Sequence, residues 1–467
     1  MGENKWFWIL IALPCGLFAC GEHDDASVAT TTRPSALLIT IDTLRADHVG
    51  VYGYPERSTP VIDALAARGV VFERAIAASS RTAPSHASIL TSRFVRGHSI
   101  GHRNGSTQLR DEPTLAEQLQ REGYRTAAFV SNTMLARRLG LDRGFEVFDN
   151  ELPHREHNRL VFERHASETE RRASDWLRTA QTPWLLWVQF NDPHGPYEPP
   201  VDAEEEFTGA AVNGVPPGDS PLPVLQSQRG WNGIPAYQQM GSSRRPSEYR
   251  SFYASEIRRV DRALATLLEA AEDSAGDDLV ILLTADHGES LGEQGFYFGH
   301  GHATTPELVH VPFVLVAPKL VPGRFRGVVH HVDVAPTLLD LLGSPALPGS
   351  AGVSLAPIWR SQGRLPDRVV FADVGTEVTA YRGEVFERLR LTGDLGDTPE
   401  GSRRVFAWRD ASWEAGSRDR VLTEALDRYA AKQANLAFAQ LPDSEERQKL
   451  EALGYIEPSG AAVLDVE

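Results

Sequence analysis

The residues best able to do chemistry fall in four short clusters and one outlier. Asp42 closes an apolar run, and Thr82-Ala83-Pro84-Ser85-His86 follows another. Asp192-Pro193-His194 and Asp286-His287-Gly288 follow two more, and His300 stands between glycines. Two carboxylates, an imidazole and a hydroxyl suffice to hold a divalent cation: Asp42 and Asp286 offer hard oxygens, His287 a borderline nitrogen and Thr82 its Oγ1. A cation there would lower the pKa of the Thr82 hydroxyl and neutralise charge on a bound oxyanion. His86, His194 and His300 are of the type that donates to anion oxygens or protonates a leaving group near neutral pH. Taken singly, each cluster is as readily a helix cap or turn, and Asp42 alone reads as structural. Four such groups on one edge of a sheet are harder to read that way.

The elements that would position these groups follow from the apolar pattern. Residues 36–41 form a short apolar run after Pro34, as a strand buried on both faces would. Residues 70–76, 125–130, 184–190, 279–284 and 312–316 have the same character. Helical patterns cover 60–69, 113–123, 158–180, 248–272 and 334–342, and Pro84 suits the first turn of a helix running to about Ser92. The alternation predicts an α/β fold, a large domain with a mainly parallel central sheet flanked by helices, plus a smaller C-terminal α+β region. Ligands of such sheets bind beyond the C-terminal strand ends, where the clusters fall. Thr82 would sit at a helix N-terminus, whose free N–H groups and dipole favour a tetrahedral anion. The expected organisation is a catalytic domain over 35–345 and a C-terminal subdomain over 346–467, with strands near 369–372 and 389–391 and a helix over 419–453. Residues 199–247, rich in Pro, Gly and Ser and carrying Glu204-Glu205-Glu206, read as an insertion, either a lid or a solvated loop. Trp184 and Trp187 read as core, and Arg244-Arg245 as part of a solvated loop.

The chain has 467 residues, 41% hydrophobic and 24% charged, which is globular composition. Acidic residues number 63 against 47 basic, a net charge of −16; no nucleic-acid partner is expected. The two cysteines are Cys15 and Cys20, so a disulfide scaffold, a cysteine-ligated metal and a thiol nucleophile are excluded from the body of the chain. Lys5 precedes an apolar run over 6–19 that is short for a bilayer span and suits a signal peptide. Leu17-Phe18-Ala19-Cys20 resembles the bacterial lipobox, whose cysteine is lipidated. The expectation is a signal peptide over 1–19, a lipidated Cys20 with a flexible tether over 20–34, and membrane attachment through Cys20 at the bacterial cell envelope, on the outer membrane or periplasmic face.

Together the clusters resemble the sulfatase family of the alkaline phosphatase superfamily. The likeness runs from about 36 to 343, with a weaker tail to 456. It is carried by Ile41-Asp42-Thr43-Leu44-Arg45-Ala46-Asp47, by Pro84-Ser85 with Ser88 and Thr91, and by Asp192-Pro193-His194 with Pro196-Tyr197. Asp286-His287-Gly288-Glu289 with Gly292-Glu293, Gly299-His300-Gly301 and Val311-Pro312 complete it. The resemblance implies a metal on Asp42, Asp286 and His287, and residue 82 as the nucleophile position, also touching the metal. It implies His194 and His300 around the sulfate or phosphate, with His302 an alternative to His300, and Asp192 behind them.

Two departures bear on the chemistry. Family sulfatases carry Cys-x-Pro-Ser-Arg, whose cysteine becomes formylglycine; here those places hold Thr82 and His86. Oxidised threonine would be a ketone, which hydrates poorly to the geminal diol required, so no formylglycine is expected. Losing the arginine removes a fixed positive fork. Thr43 replaces a second carboxylate, which shifts the expected divalent ion toward zinc or manganese, with calcium still open. Three readings remain. Thr82 attacks phosphorus or sulfur directly, as in the threonine-dependent phosphoethanolamine transferases and lipoteichoic acid synthases of the superfamily, with water as acceptor. A sulfate-ester hydrolase could use the same residues on a small-molecule or glycan ester. An inactive sulfatase-like envelope protein would instead bind an anionic glycan or a partner. A phosphoryl-group transferase is a variant of the first reading.

Overall fold

Residues 36–41 owe their place in the molecule to being apolar on both faces. The computed structural model makes Ser35–Ile41 a strand with all seven residues buried. It describes residues 33–98, 100, 108–198, 207–209, 218–360, 365–391, 401–409 and 412–432. The expected signal peptide, Cys20 and most of the tether lie outside the described residues, as do parts of the insertion, its acidic run included, and everything after 432.

The central sheet takes strands from Ser35–Ile41 (β1), Val70–Ile76 (β2), Arg125–Val130 (β3), Val147–Asp149 (β4), Trp184–Phe190 (β5), Leu279–Ala285 (β6), His310–Val311 (β7), Phe313–Val316 (β8) and Gly323–His330 (β9). Their spatial order is β7-β2-β8-β6-β1-β5-β3-β4, with β9 alongside β2. β1 pairs in parallel with β5 and β6, β3 with β4 and β5, and β9 with β2. The expected strand near 312–316 is present but antiparallel to both neighbours. The chain leaves β6 at the sheet's C-terminal edge and stays there until β7, so a strand entering from that edge without a crossover runs against the others. β9 carries Arg324 and Arg326 on exposed positions, which is why its polar sequence gave no strand signal.

Helices Pro60–Ala67 (α1), Thr82–Thr91 (α2), Leu115–Arg121 (α3), Ala166–Leu177 (α4), Pro246–Ala275 (α5) and Val334–Leu341 (α6) connect or cover these strands. Thr114 and Glu117 form a reciprocal capping box on α3. The helix expected from 158 starts only at Ala166, because residues before it are used elsewhere. Phe162–Glu163 pairs with His154–Arg155, and buried Arg164 donates to Val130 O and Asp149. Among the described residues no helix is long and apolar enough to cross a membrane.

Residues from Arg33 onward form one compact unit. Within it, Val370–Asp373 (β10), Glu377–Arg382 (β11), Val385–Arg390 (β12), Arg403–Arg409 (β13) and Ser412–Ala415 (β14) make an antiparallel meander, with Arg420–Ala430 (α7) packed on it. Its small core includes Val378, Leu422 and Leu426, with Phe371 stacked on Tyr429 at 4.1 Å. The described part of the insertion is exposed over much of 218–229 and packed over 234–238. Ile234, Tyr237 and Gln238 are buried, and Tyr237 Oη and Gln238 Nε2 both donate to Phe298 O.

One long-range contact ties α1 to α5. The N–H groups of Val61 and Ile62, unpaired within the first turn of α1, donate to the buried Asp261 carboxylate on α5 at 2.9–3.1 Å. Asp261→Ala is expected to destabilise the protein by about 1–2 kcal/mol, the usual loss for a helix cap. An unfolding midpoint unchanged in urea would contradict this.

Candidate active site

β6, β1, β5 and β3 are consecutive parallel strands, so their C-terminal ends lie side by side. Ile41 pairs with Phe190 on one side and Ala285 on the other, which brings Asp42, Asn191 and Asp286 abreast. Thr43 then takes a left-handed conformation (φ 55°) and turns the chain so that its N–H donates to Asp286 Oδ1 at 3.2 Å. The His287 N–H reaches the same oxygen at 2.8 Å. Asp42 Oδ2 accepts from Asn132 Nδ2 at 2.6 Å and Gln189 Nε2 at 3.3 Å. One oxygen of each carboxylate is thereby held by the protein. Asp42 Oδ1 and Asp286 Oδ2 are buried and have no hydrogen-bond partner.

These two oxygens face a common point. His287 Nδ1 donates to Gly288 O at 3.0 Å, so Nε2 presents its lone pair, 3.7 Å from Asp42 Oδ1 and 3.5 Å from Asp286 Oδ2. Thr82 Oγ1, in the first turn of α2, lies 3.3 Å from the same Nε2. All four residues are at most 2% exposed. Burial, then the charge of Asp286, raises the Asp42 pKa well above its ordinary value. Burial pushes Asp286 up to about 6 and His287 down to about 4. Two carboxylates that penalise one another, with a neutral imidazole aimed between them, are the donor set of a divalent cation. Asp42, Asp286 and His287 form a group that could hold one, and the two orphaned oxygens fit that use.

His86 was expected among the groups that meet substrate, and the structure places it otherwise. The ring is fully buried beside Trp187, with Nδ1 on Thr82 O at 2.9 Å and Nε2 on Thr40 Oγ1 at 3.0 Å. A carbonyl only accepts, so Nδ1 carries the proton and the Thr40 hydroxyl donates to Nε2; Trp187 Nε1 donates in turn to Thr40 Oγ1. Burial lowers the His86 pKa, and the neutral ring holds the Thr82 main chain in place. Both nitrogens are engaged by the protein, and Nδ1 also lies 3.7 Å from Asp286 Oδ2.

His194 and His300 do come together at the site. Their rings are 5.1 Å apart, and His300 lies 4.4 Å from His287. His194 Nδ1 donates to Gly195 O at 2.8 Å. His300 Nδ1 meets Glu289 Oε1 at 3.1 Å, and Tyr197 Oη donates to Glu289 Oε2 at 3.0 Å. Burial pushes Glu289 up to about 8 and holds His300 well below its ordinary value. His302, the alternative to His300, stacks on Phe296 at 3.7 Å with Trp231 at 5.7 Å. Asp192 accepts from Ala166 N at the start of α4 and from Arg259, which makes it a structural anchor behind His194.

Several residues that build the site gave little sequence signal. Asn132, Gln189 and Asn191 hold Asp42 or one another; their one cue is that they end strands or follow them. Arg45, 1% exposed, donates to Glu289 O and Glu293 Oε1 and pairs with Asp47, so it pins the loop that carries Glu289.

A family model described as Sulfatase matches residues 34–344. The chain is 26% identical over 385 residues to the Delta 4,5-hexuronate-2-O-sulfatase of Bacteroides thetaiotaomicron, across 74% of this chain and 75% of that protein. Its fold is similar to that of a phosphonate monoester hydrolase from Silicibacter pomeroyi (TM-score 0.64, 19% identity, 86% of this chain and 96% of that one). It is also similar to a protein in the alkaline phosphatase superfamily from Vibrio parahaemolyticus (TM-score 0.57, 16% identity, 92% and 89%). With 34–344 matched and the carboxylate–imidazole cluster at the sheet's C-terminal edge, the chain belongs to the sulfatase family.

Proposed function

We propose that this protein is a metal-dependent hydrolase of sulfate- or phosphate-type esters in which Thr82 Oγ1 is the nucleophile. One observation carries the reading: Thr82 Oγ1 stands at the head of α2, 3.3 Å from His287 Nε2, where the partnerless oxygens of Asp42 and Asp286 also point. With no cysteine beyond Cys20, a formylglycine cannot take that place. A divalent cation held by Asp42, Asp286, His287 and Thr82 would lower the hydroxyl's pKa and offset charge on the transferred group.

The chain's own groups supply the remaining parts. The first turn of α2 offers N–H groups and a positive dipole end to a tetrahedral anion. Thr82 Oγ1 bonds to sulfur or phosphorus as the bond to the leaving oxygen breaks; the hydroxyl proton goes to solvent. The leaving oxygen takes a proton from the His300–Glu289 pair. Water then attacks the Thr82 ester. Its proton passes to His194 Nε2, bare because Nδ1 is held by Gly195 O, and Thr82 Oγ1 departs and is reprotonated. The substrate is a small-molecule or glycan ester, by analogy with the hexuronate sulfatase to which the chain is similar.

Two measurements test this. Thr82→Ala is expected to lower kcat by about a thousandfold or more on whichever of p-nitrophenyl sulfate, phosphate and a phosphonate monoester is turned over best, while bound metal stays at the wild-type ratio; undiminished turnover would sink the reading. Asp286→Asn is expected to lose the metal and the turnover together. Chelation of the wild type should lower its melting temperature, because a ligand at about a hundred times its Kd contributes about 2.7 kcal/mol. Metal content below one ion per chain in the active wild type would contradict the assigned site.

A further inference from the structure

Each carboxylate of the candidate cation site has an inner and an outer oxygen, and the inner ones are full. A carboxylate oxygen has a pair of lone-pair sites. Asp42 Oδ2 receives Asn132 Nδ2 at 2.6 Å and Gln189 Nε2 at 3.3 Å. Asp286 Oδ1 receives the N–H groups of Thr43 at 3.2 Å and His287 at 2.8 Å. What remains is Asp42 Oδ1 and Asp286 Oδ2, both buried and partnerless, so each carboxylate has a single oxygen for an ion. His287 likewise has a single nitrogen to give, because Nδ1 is held on Gly288 O at 3.0 Å.

The two amides on Asp42 cannot turn over. Asn132 Oδ1 accepts from Met134 N at 2.7 Å, and Gln189 Oε1 accepts from Ser131 N at 2.8 Å. With each amide oxygen pinned by a main-chain N–H, each NH2 group faces Asp42. Both amide nitrogens are anchored a second time, Asn132 Nδ2 on Asn191 Oδ1 at 3.0 Å and Gln189 Nε2 on Phe190 O at 3.1 Å. Gln189 lies within β5 and Asn132 just beyond β3. Two strands of the sheet therefore fix which oxygen of Asp42 stays open.

We infer, on the hydrolase reading's assignment of the cation ligands, that Asn132 and Gln189 select the ion. By holding Asp42 to one free oxygen, they make the cluster a site for a small four-coordinate divalent ion of the zinc type and not for calcium. Calcium takes about six to eight oxygens and often engages a carboxylate through both. The cluster offers Asp42 Oδ1, Asp286 Oδ2 and Thr82 Oγ1, with the partnerless Thr43 hydroxyl as the one addition nearby. Its remaining donor is an imidazole nitrogen, which suits zinc better than calcium. A catalytic zinc needs only a few nitrogen and oxygen ligands with one position left open. The His287 Nδ1–Gly288 O bond and the amides on Asp42 are the outer hydrogen bonds that orient such ligands.

The test loads metal-free protein with zinc, cobalt, manganese or calcium. Affinities are measured by calorimetry, with the visible spectrum of the cobalt form and the melting temperature of each form alongside. The wild type is expected to show the intense absorption of four-coordinate cobalt and to bind calcium far more weakly than zinc. Asn132→Asp and Gln189→Glu each keep the oxygen that accepts the main-chain N–H and replace the NH2 group with a second acceptor. Each is expected to lower zinc affinity by about 10- to 100-fold, the usual effect of losing a group that orients a metal ligand, while calcium affinity holds or rises. Gln189→Met, which removes one donor without adding a charge, makes the same comparison if neither carboxylate variant folds. An equal loss of both affinities would make the amides general supports and overturn the inference. So would a six-coordinate cobalt spectrum, or calcium binding as tight as zinc, in the wild type. A wild type with the expected ion preference that hydrolyses none of p-nitrophenyl sulfate, phosphate and a phosphonate monoester overturns the hydrolase reading and leaves the roles of Asn132 and Gln189 standing. A wild type that binds no divalent ion overturns both.

Discussion

Two carboxylates that cannot both be comfortable as anions set the terms for the rest of this molecule. Asp42 and Asp286 follow adjacent parallel strands, β1 and β6, with no freedom to separate, because Ile41 and Ala285 are paired in the sheet. Each keeps one oxygen on protein donors and turns the other toward His287 Nε2. Buried like charges at this spacing raise one another's pKa and destabilise the fold unless a cation intervenes. The surrounding structure is organised to hold that strained arrangement in place. Asn132 donates to Asp42 and to Asn191, Asn191 in turn donates to Glu163, and Arg45 ties the loop after His287 back to the start of the chain's first turn. Removing the donors would free the carboxylates to swing apart, so the polar shell supplies the rigidity that the apolar core, lying below the strand ends, cannot supply at the edge.

The residues at 82 and 86 make sense as a pair in this setting. A threonine hydroxyl is useful at the head of α2 only if the backbone that carries it is held still, and Thr82 O is gripped by a neutral, buried imidazole. The Trp187, Thr40 and His86 chain of donors runs from the indole of β5 through β1 into α2, so the first turn of the helix is hung from two strands of the sheet. The ring of residue 86 is enclosed by Trp187, Thr40 and the Thr82 carbonyl, with Asp286 Oδ2 3.7 Å from its Nδ1.

What the sequence made legible follows from how local each signal is. β1, β5 and β6 were readable because strands covered on both faces are continuously apolar, and Asp42, Asp286 and His287 because they interrupt that pattern at strand ends. Thr82 was readable from Pro84 two residues on, which marks the first turn of a helix. Asn132, Gln189 and Asn191 were not, because a lone amide near a strand end is ordinary; what makes these three matter is that β3, β5 and β1 are neighbours, which is a fact of topology and not of spacing. The surroundings of His86 were hidden for the same reason, since its neighbours Thr40 and Trp187 lie on two other strands. The early start assigned to α4 came from periodicity that Glu163 and Arg164 satisfy by accident, their side chains being drawn instead to Asn191 and to Val130 O.

The C-terminal meander, which read as a separate small region, belongs to the machinery of the site through one side chain. Glu377 on β11 is 3% exposed and accepts from both the N–H and the hydroxyl of Thr304 at 2.8 and 2.9 Å, while Thr379 shares a hydrogen bond with the same hydroxyl at 2.6 Å. Thr304 is four residues beyond His300 and next to Ala303, whose carbonyl receives Ser80. The loop that carries His300 is therefore clamped from two directions, by the segment leading into α2 and by β11. Arg388 and Arg390 on β12 face the second oxygen of Glu377, so its charge is met within the meander. An imidazole whose ring must stay 4.4 Å from His287 needs that support, since a loop held only at its ends would let it drift by more than the reach of a hydrogen bond. The meander thus holds the His300 loop through Thr304, and the small core under α7 backs the strand that does so.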